Sequence, residues 1–354
     1  MKLIYDTKKE KKAEFQSMWK QIFGDPDAYE AFYFDTVYEK NQVIYAKKDQ
    51  EIVGMIHLNP YEIQVADQSY PLHYIVGVAT KKSCRRQGIM RQMLLKVMED
   101  MAQNGEIFTY LMPANKAYYE PFDFAFVQSF TEKEEAGKAG ESALRPLAEE
   151  EIPQWISYQN AICSRKYLVY TKADVEYVKQ LKKECDCEDG DLLIWKEGEA
   201  IKGICCYGKD GDDIYIRQIF TEDRTAMKEQ LSMYFYEKCL KLTMDAGDQG
   251  DGASIMVRIL RLDLLLPLIS AKSQKKICLT ITDAYLPEQN GTFSISLSPK
   301  GCSIERTPGK KGKEIGIWNL TKILFGYECD KLLEEYPELQ DVIPLSPVMI
   351  GEIV

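Results

Sequence analysis

The feature that most constrains the fold of this chain is a change of hydrophobic period at residues 77–101, "GVATKKSCRRQGIMRQMLLKVMEDM". Before it, "QVIYAKKDQEIVGMIHL" and "YEIQVADQSYPLHYIVGVAT" each read as two strands around a polar turn, which predicts an antiparallel meander of four strands. From Gly88 to Met101 the apolar residues recur at helical spacing, and Asn104 and Gly105 end the pattern. A strand therefore passes into an amphipathic helix through basic residues and a glycine.

Length and composition place the chain among ordinary globular proteins of two or three domains. Its 354 residues are 45% hydrophobic and 28% charged, which allows a large core. The formal net charge of −10 argues against nonspecific nucleic-acid binding, because that depends on a basic surface. The N-terminus lacks the apolar run of a signal peptide, and no segment approaches the roughly 20 apolar residues of a membrane span. We therefore expect a cytoplasmic protein with neither nucleic acid nor membrane as a partner.

The ten cysteines do not predict a metal site. Cys185, Cys187, Cys205 and Cys206 form the one grouping that resembles a zinc site. However, Cys205 and Cys206 are adjacent in a strand-like run, so their side chains should point to opposite faces of a sheet. We interpret the cysteines as reduced, buried small residues.

The remaining patterns divide the chain into three units of mixed α/β character, at residues 1–132, 140–247 and 252–354. The first reads as two helices, four strands, a helix, a strand, a short helix and a strand, and the second repeats this order in coarser form. At the equivalent junction of the second unit there is no glycine, and Glu222 and Asp223 are added, so no anion site is expected there. The tract "TEKEEAGKAGES" reads as a solvated linker and "AMKEQLSMYFYEKCLKL" as a helix.

The junction at residues 85–90 is a candidate anion site. The first N–H groups of a helix have no intrahelical partner, and the helix dipole adds positive potential there. Gly88 removes a side chain where a ligand approaches the backbone, and Arg85 and Arg86 add fixed positive charge. Taken alone, these residues fit a basic surface turn at a helix start at least as well.

The wider pattern resembles the pyrophosphate-binding loop of the GNAT acyl-CoA transferases, R/Q-x-x-G-x-G/A. The string Arg85-Arg86-Gln87-Gly88-Ile89-Met90 follows a strand that ends in "VAT" and precedes an amphipathic helix. Met90 departs from the last small position of the motif. A bulkier residue there is similar to the enhanced intracellular survival (Eis) family of N-acetyltransferases, in which "VATxxxxRRxGI" recurs.

The resemblance extends across the chain, since "ITDAYLPEQNGTFSI" is similar to the D-x-x-x-P-x-x-x-G pattern of sterol carrier proteins. It implies an α/β (α+β) fold of tandem GNAT domains, the second of them degenerate, with a C-terminal sterol-carrier-protein-like domain. The implied activity is acetyl-CoA-dependent transfer to a primary amine of a cationic substrate, such as an aminoglycoside, a polyamine or a lysine side chain. Family members often assemble as hexamers, so a homo-oligomer is also implied.

The resemblance assigns roles to individual residues. The backbone of Val78 and Thr80 would bind the pantetheine arm as an added strand, and the Val78 N–H would polarise the thioester carbonyl. Tyr119, in "YYEPFDF", would be the general acid that protonates the leaving thiolate. Asp123 stands where the family has glycine. The cofactor-binding loop itself would consist of Arg85, Arg86, Gln87, Gly88, Ile89 and Met90.

The resemblance also implies a base and an acceptor site. The α-carboxylate of Val354 would remove the amine proton, with a pKa raised by burial in the apolar tail "SPVMIGEIV". Asp25, Phe34 and Glu352 are the candidate contacts to a cationic acceptor. Two other functions remain open, namely transfer of longer acyl chains and a non-catalytic role as a coenzyme A or lipid-binding carrier. The intact loop together with Tyr119 favours an enzyme.

Overall fold

The computed structural model describes residues 1–247 and 254–352. Its helices are α1 (Lys12–Ile22), α2 (Asp27–Phe32), α3 (Ile89–Gln103), α4 (Ile152–Lys166), α5 (Val175–Cys187), α6 (Arg224–Tyr234), α7 (Leu262–Leu265), α8 (Ile317–Phe325) and α9 (Asp330–Glu335). Among the strands, those of the first half are β1 (Lys2–Tyr5), β2 (Gln42–Lys48), β3 (Glu51–Val65), β4 (Gln68–Thr80), β5 (Phe108–Leu111), β6 (Ala125–Ala136), β7 (Leu144–Pro146) and β8 (Val169–Thr171).

The remaining strands are β9 (Asp191–Glu197), β10 (Ala200–Asp210), β11 (Asp213–Thr221), β12 (Cys239–Gly247), β13 (Ser254–Ile259), β14 (Ser270–Ala271), β15 (Lys275–Thr282), β16 (Gly291–Leu297), β17 (Ser303–Arg306), β18 (Lys313–Gly316), β19 (Val342–Ile343) and β20 (Val348–Met349). One 14-stranded mixed sheet has the order β1-β2-β3-β4-β5-β13-β6-β12-β11-β10-β9-β7, with β8 paired to β3 and β20 paired to β8. A separate sheet of the third unit has the order β17-β16-β15-β18. The predicted mixed α/β class is therefore confirmed.

Both faces of the first unit's sheet are covered by helices. Phe15 and Trp19 of α1 pack with Tyr45 in one buried cluster, whereas Met93 of α3 packs with Ile44 in another. Neighbouring residues of a strand point to opposite faces, so α1 and α3 lie on opposite sides of β2. The helical spacing seen in the sequence therefore marks the buried face of each helix.

Four elements differ from the sequence-based expectation. The two runs before and after Pro60 form one continuous strand, β3, so the meander has three strands rather than four. The N-terminal strand β1 has no counterpart in the prediction. The first part of the expected linker continues β6, because residues 131–136 pair with β12. The predicted helix of the second unit ends at Tyr234, and the chain returns as β12, parallel to β11.

The second unit repeats the strand–helix–strand arrangement around α6. Asp223 caps this helix, since its Oδ1 accepts a hydrogen bond from the Ala226 N–H at 3.0 Å. Glu222 pairs with Arg165. Carboxylates thus occupy the helix start where the first unit has arginines and a glycine, and an anion would be repelled there.

The third unit shares its core with the first. Segment Ser254–Ile259, at the start of the predicted third unit, is β13 of the long sheet, inserted between β5 and β6. The rings of Phe108 in β5 and Phe325 in α8 lie 5.6 Å apart in a T-shaped contact. The chain end returns through β20, which pairs in parallel with β8. The first and third units are therefore packed together through a shared core that includes β5 and β13.

Candidate active site

A fork between β4 and β5 forms the principal cleft of the first unit. The two strands are parallel, but they pair at a single position, Tyr74 with Tyr110. Beyond it β5 pairs with β13 on its other side, and β4 diverges. The cleft has a volume of about 830 Å³. Its walls are Trp19, Ile22, Phe23, Asp25, residues 74–80, Cys84, Arg85, Arg86, residues 88–91, residues 112–114, Tyr118, Tyr119 and Phe122.

A bulge at Gly77 turns β4 into the cleft. Met55 and His57 of β3 pair with Ala79 and Val76, so two residues of β4 stand opposite one of β3. Gly77 has φ +59°, and a Cβ there would lie 2.5 Å from the Trp19 ring. Only glycine fits this position without displacement.

The backbone beyond the bulge borders the cleft at the two positions predicted to bind pantetheine. Val78 and Thr80 are both half-buried and line the cleft. On the β3 side, Thr80 pairs with Gly54. On the opposite side, towards β5, no described strand pairs with this stretch. An extended ligand can therefore add to this edge through backbone hydrogen bonds.

The predicted anion loop lies at the outer end of the cleft. Arg85, Arg86, Gln87 and Gly88 are all exposed, and α3 begins at Ile89. The first turn of α3 contains no acidic residue, and its first backbone hydrogen bond runs from the Gln92 N–H to the Gly88 carbonyl at 3.0 Å. The amides of the first turn therefore remain free for an anion.

The backbone conformation gives a further reason for Gly88. Its φ of +74° is in the left-handed region, as is the φ of +60° at Arg86. A Cβ at Gly88 would meet no protein atom within 4 Å, so the position is open towards the solvent side of the loop. No side chain among the described residues caps α3 at this end.

Tyr119 lies on the opposite wall, between two 3₁₀ turns, Lys116–Tyr118 and Glu120–Phe122. It is 8% exposed, and burial raises the pKa of its phenol to about 12. Its neighbour Tyr118 is 57% exposed. Tyr119 therefore keeps its proton across the ordinary pH range, as a general acid must, while its raised pKa makes it a weaker acid than a free tyrosine.

Asp123 adopts the left-handed conformation that the family's glycine would supply, with φ +62°. Aspartate tolerates this region better than most residues because its short side chain bonds locally. Burial raises the pKa of Asp123. The departure from the motif therefore preserves the turn.

The candidate acceptor residues of the N-terminal helices have different environments. Asp25 lines the cleft, and its Oδ2 accepts a hydrogen bond from Trp19 Nε1 at 2.6 Å. Phe34 is fully buried, 5.7 Å from the Trp19 ring and 6.0 Å from the His57 ring. Phe34 is thus a core residue within the π-helical turn Tyr33–Val37, and the prediction that it contacts an acceptor is corrected.

Neither histidine is positioned as a base. His57 is fully buried, and burial lowers its pKa to about 3. His73 lies outside the cleft lining, with its Nδ1 2.8 Å from Glu106 Oε1.

The C-terminal tail is anchored between the first and second units. The Ile350 N–H donates to Gln128 Oε1 at 3.0 Å, and Gln218 Nε2 donates to the Gly351 carbonyl at 3.2 Å. Glu352 is 6% exposed, and Thr171 Oγ1 donates to its Oε2 at 2.8 Å. Val354, the predicted base, lies outside the described residues.

Glu352 faces a small cavity of about 20 Å³. Its Oε1 is buried without a hydrogen-bond partner, and burial raises the pKa of this carboxyl to about 7. The cavity walls are Tyr61, Tyr177, Gln180, Leu181, Glu184, Cys206, Arg217, Gln218, Gly351 and Glu352. The acidic residue proposed from sequence is therefore buried and poised to exchange a proton near neutral pH.

The described residues contain no group of three or more histidine, cysteine or acidic side chains arranged to hold a metal ion. Cys205 and Cys206 belong to separate core clusters on the two faces of the second unit's sheet. In the part of the chain that the structure covers, no helix is long and apolar enough to cross a membrane.

The sequence analysis did not identify three residues that make polar contacts with the Tyr119 loop. Arg258, Tyr285 and Trp318 all come from beyond residue 254 and donate to backbone carbonyls at residues 121–124. The insertion of β13 beside β5 brings them there, and no local pattern indicates such an insertion.

Comparisons with known proteins agree with this geometry. Residues 4–127 match the acetyltransferase (GNAT) domain family, and residues 264–342 match the sterol carrier protein domain family. No curated protein sequence matches the chain.

Three solved structures illustrate the likeness in fold. A probable N-acyltransferase from Enterococcus faecalis V583 is 15% identical, with a TM-score of 0.78 over 97% of this chain and 94% of its own. A GCN5-related N-acetyltransferase from Anabaena variabilis ATCC 29413 is 14% identical, with a TM-score of 0.78 over 100% of both chains. Eis1 from Mycobacterium abscessus is 14% identical, with a TM-score of 0.69 over 98% of this chain and 94% of its own. The chain therefore carries a GNAT acetyltransferase domain at residues 4–127 and a sterol carrier protein domain at residues 264–342, in a fold like that of Eis1.

Proposed function

We propose that this chain transfers the acetyl group of acetyl-CoA directly to a primary amine of a cationic substrate. The observation that carries the proposal is the continuous cleft from the anion loop at residues 85–90, along the unpaired edge of β4, to Tyr119. A diphosphate at one end and a thioester at the other require that order of groups. Amide formation from a thioester needs proton transfers, which a phenol and a carboxylate can supply.

The donor would bind along the β4 edge. Its diphosphate would accept hydrogen bonds from the free amides at the start of α3, beside Arg85 and Arg86. Its pantetheine arm would extend the sheet at Val78 and Thr80. The Val78 N–H would then stabilise the negative charge that develops on the thioester oxygen.

In the reaction, the neutral amine attacks the thioester carbonyl, and the C–N bond forms as the C–S bond breaks. The departing thiolate takes the proton of Tyr119, and the phenolate is reprotonated from solvent. The attacking nitrogen gives its excess proton to a base, for which we propose the terminal carboxylate of Val354. Its neighbour Glu352 is anchored between the units, and two further residues can extend roughly 7 Å from it.

Two features support a cationic acceptor. Asp25 is on the cleft wall. Glu352 lines a separate small cavity without a cationic partner among the described residues, and burial raises its pKa, whereas Glu184 in the same cavity is paired with Arg217. An ammonium group beside such carboxyls would restore their ionised form. A substrate with several amines can place one at the thioester and another against these carboxyls.

The test is the release of free coenzyme A from acetyl-CoA with a panel of polyamines, aminoglycosides and lysine peptides. We expect Tyr119→Phe to lower kcat by roughly 10²- to 10⁴-fold while acetyl-CoA binding persists. Tyr236→Phe is the matched control, because this exposed tyrosine of the second unit lies outside the cleft lining and should change kcat less than about twofold. Full turnover by Tyr119→Phe would remove the general-acid assignment.

A second variant tests the base. One glycine added after Val354 displaces the carboxylate by roughly 3.5 Å and should reduce kcat without weakening donor binding. Unchanged turnover would exclude the terminal carboxylate. Donor binding without thiol release for any amine, or for any longer acyl-CoA, would instead support a coenzyme A carrier.

A further inference from the structure

The loop that carries Tyr119 is held by the third unit at three backbone carbonyls between residues 121 and 124. The Tyr285 hydroxyl donates to the Pro121 carbonyl. Arg258 Nε donates to the Phe122 carbonyl at 2.9 Å, and Trp318 Nε1 donates to the Phe124 carbonyl at 3.1 Å. Every one of these donors comes from the chain beyond residue 254, and none comes from the acetyltransferase domain itself.

Arg258 is held in one position because its buried guanidinium group has an ion-pair partner and hydrogen-bond acceptors. Its side chain is completely buried, as is that of Asp283, and Nη2 lies 2.6 Å from Asp283 Oδ1. Its Nη1 donates to the Ile259 carbonyl at 2.5 Å. Asp283 in turn accepts the backbone N–H groups of Tyr285 and Leu286, each at 2.9 Å. A buried charged pair with its hydrogen bonds complete has one preferred geometry.

The Tyr119 loop has little structure of its own to resist displacement. It consists of two single 3₁₀ turns and the left-handed Asp123. Short turns of this kind leave carbonyls without backbone partners. The loop's own backbone bonds, such as that from the Phe122 N–H to the Tyr119 carbonyl at 2.9 Å, leave the carbonyls of Pro121, Phe122 and Phe124 to donors outside the loop. These outside donors therefore help to fix the position of the Tyr119 phenol.

The same contacts reach the helix that begins at the anion loop. The Arg91 guanidinium on α3 lies 5.3 Å from the Tyr285 ring centre and 5.9 Å from that of Phe122. The two rings are 5.5 Å apart. Tyr285 thus contacts both sides of the cleft, the wall of the donor and the wall of the general acid.

We propose that the chain beyond residue 254 acts as the scaffold of the general acid, with Arg258 of β13 and Tyr285 and Trp318 of the sterol carrier protein domain as positioning residues for Tyr119. The inference rests on the proposed acetyl transfer. These residues act through the loop and touch no reacting atom. This part of the chain would then be required for turnover for a reason separate from the terminal carboxylate that it carries.

The test uses the full chain with Tyr285→Phe, Trp318→Phe and the double variant. Each change keeps an aromatic ring and removes one donor to the loop, so the fold should persist. Tyr336→Phe is the matched control, because this buried tyrosine of the same unit packs under Lys313 and makes none of the contacts to the loop described above. Arg258→Ala is avoided because it would leave Asp283 buried without its cation.

We expect each single variant to lower kcat roughly 3- to 10-fold, with the KM for acetyl-CoA within about twofold of wild type. In a Tyr119→Phe background the same changes should have no further effect on residual turnover, since they act through the phenol. Amide hydrogen exchange at residues 119–124 should become faster in the double variant and stay unchanged in Tyr336→Phe.

Wild-type kcat in the double variant would overturn the proposal, as would an equal loss of kcat in the Tyr119→Phe background. If the wild-type protein releases no thiol, the acetyl-transfer function fails, and hydrogen exchange alone decides the scaffold. Faster exchange in the double variant then supports it, and unchanged exchange refutes it.

Discussion

Replacing Glu352 by glutamine should make the protein more stable at alkaline pH while leaving it unchanged at acid pH. Burial raises the pKa of this carboxyl from 4.5 to about 7 in the folded state. Below pH 4.5 the carboxyl is protonated in both the folded and unfolded chains, so it carries no penalty. Between pH 4.5 and 7 the unfolded chain releases the proton while the folded protein keeps it, so stability falls across this range and levels off above pH 7.

The size of the effect follows from the difference between the two pKa values. At roughly 1.4 kcal/mol for each pH unit, the penalty above pH 7 is about 3 kcal/mol. Glutamine resembles the protonated acid in shape, and its carbonyl can still accept the Thr171 hydroxyl. Glu352→Gln should therefore match wild type near pH 4.5 and exceed it by about 3 kcal/mol at pH 8.

The assay is thermal unfolding of both proteins from pH 4.5 to 8.5. For a chain of this length, about 3 kcal/mol corresponds to an increase in Tm of roughly 4 °C if unfolding is cooperative. The depressed pKa of His57 destabilises both proteins equally at low pH and cancels in the difference. Parallel Tm curves across the whole range would refute the reasoning, because they would mean that Glu352 ionises freely in the folded state.

Three further predictions concern the cleft and its counterpart in the second unit. Gly77→Ala should lower the free energy of unfolding by about 2 kcal/mol or more in chemical denaturation, since the new Cβ would lie 2.5 Å from Trp19. The control Gly105→Ala has open space around the new Cβ and should lower the free energy of unfolding by about 1 kcal/mol. The double variant Arg85→Ala, Arg86→Ala should weaken acetyl-CoA binding by roughly tenfold or more in calorimetry, and the Kd should depend less on salt concentration. An unchanged Kd would contradict the assignment of residues 85–90 as the anion loop. Asp223→Ala should cost about 1 kcal/mol in hydrogen exchange at the start of α6 without altering turnover, and a loss of activity would give the second unit a catalytic role.

Local patterns were sufficient where a residue's role depends on its neighbours in the chain. The periodicity from Gly88 to Met101 predicts α3, which the structure has at Ile89–Gln103. Alternation around polar turns predicts most of the strands. The resemblance of two sequence motifs to known families predicts a GNAT domain and a sterol carrier protein domain, and both family matches confirm these domains.

The same patterns failed where distant segments compete for one position. Residues 131–136 are polar enough to read as a linker, yet β12 satisfies their backbone, so they form a strand. Phe34 stands among acidic and aromatic residues in the sequence, but the π-helical turn at Tyr33–Val37 directs its ring into the core. In each case long-range contacts override the local signal.

By itself, the sequence indicated the loop at residues 85–90 as a candidate anion site, the helix behind it and Tyr119 as a phenol of the cleft, because these depend on motifs a few residues long. Tertiary structure alone decided how the phenol is held and how acidic its surroundings are. Arg258, Tyr285 and Trp318 reach the Tyr119 loop only after β13 pairs with β5, and Glu352 becomes a near-neutral acid only when the tail is buried between units. Hydrogen bonds and desolvation depend on which atoms are close in space, and the order of residues along a chain does not specify that directly.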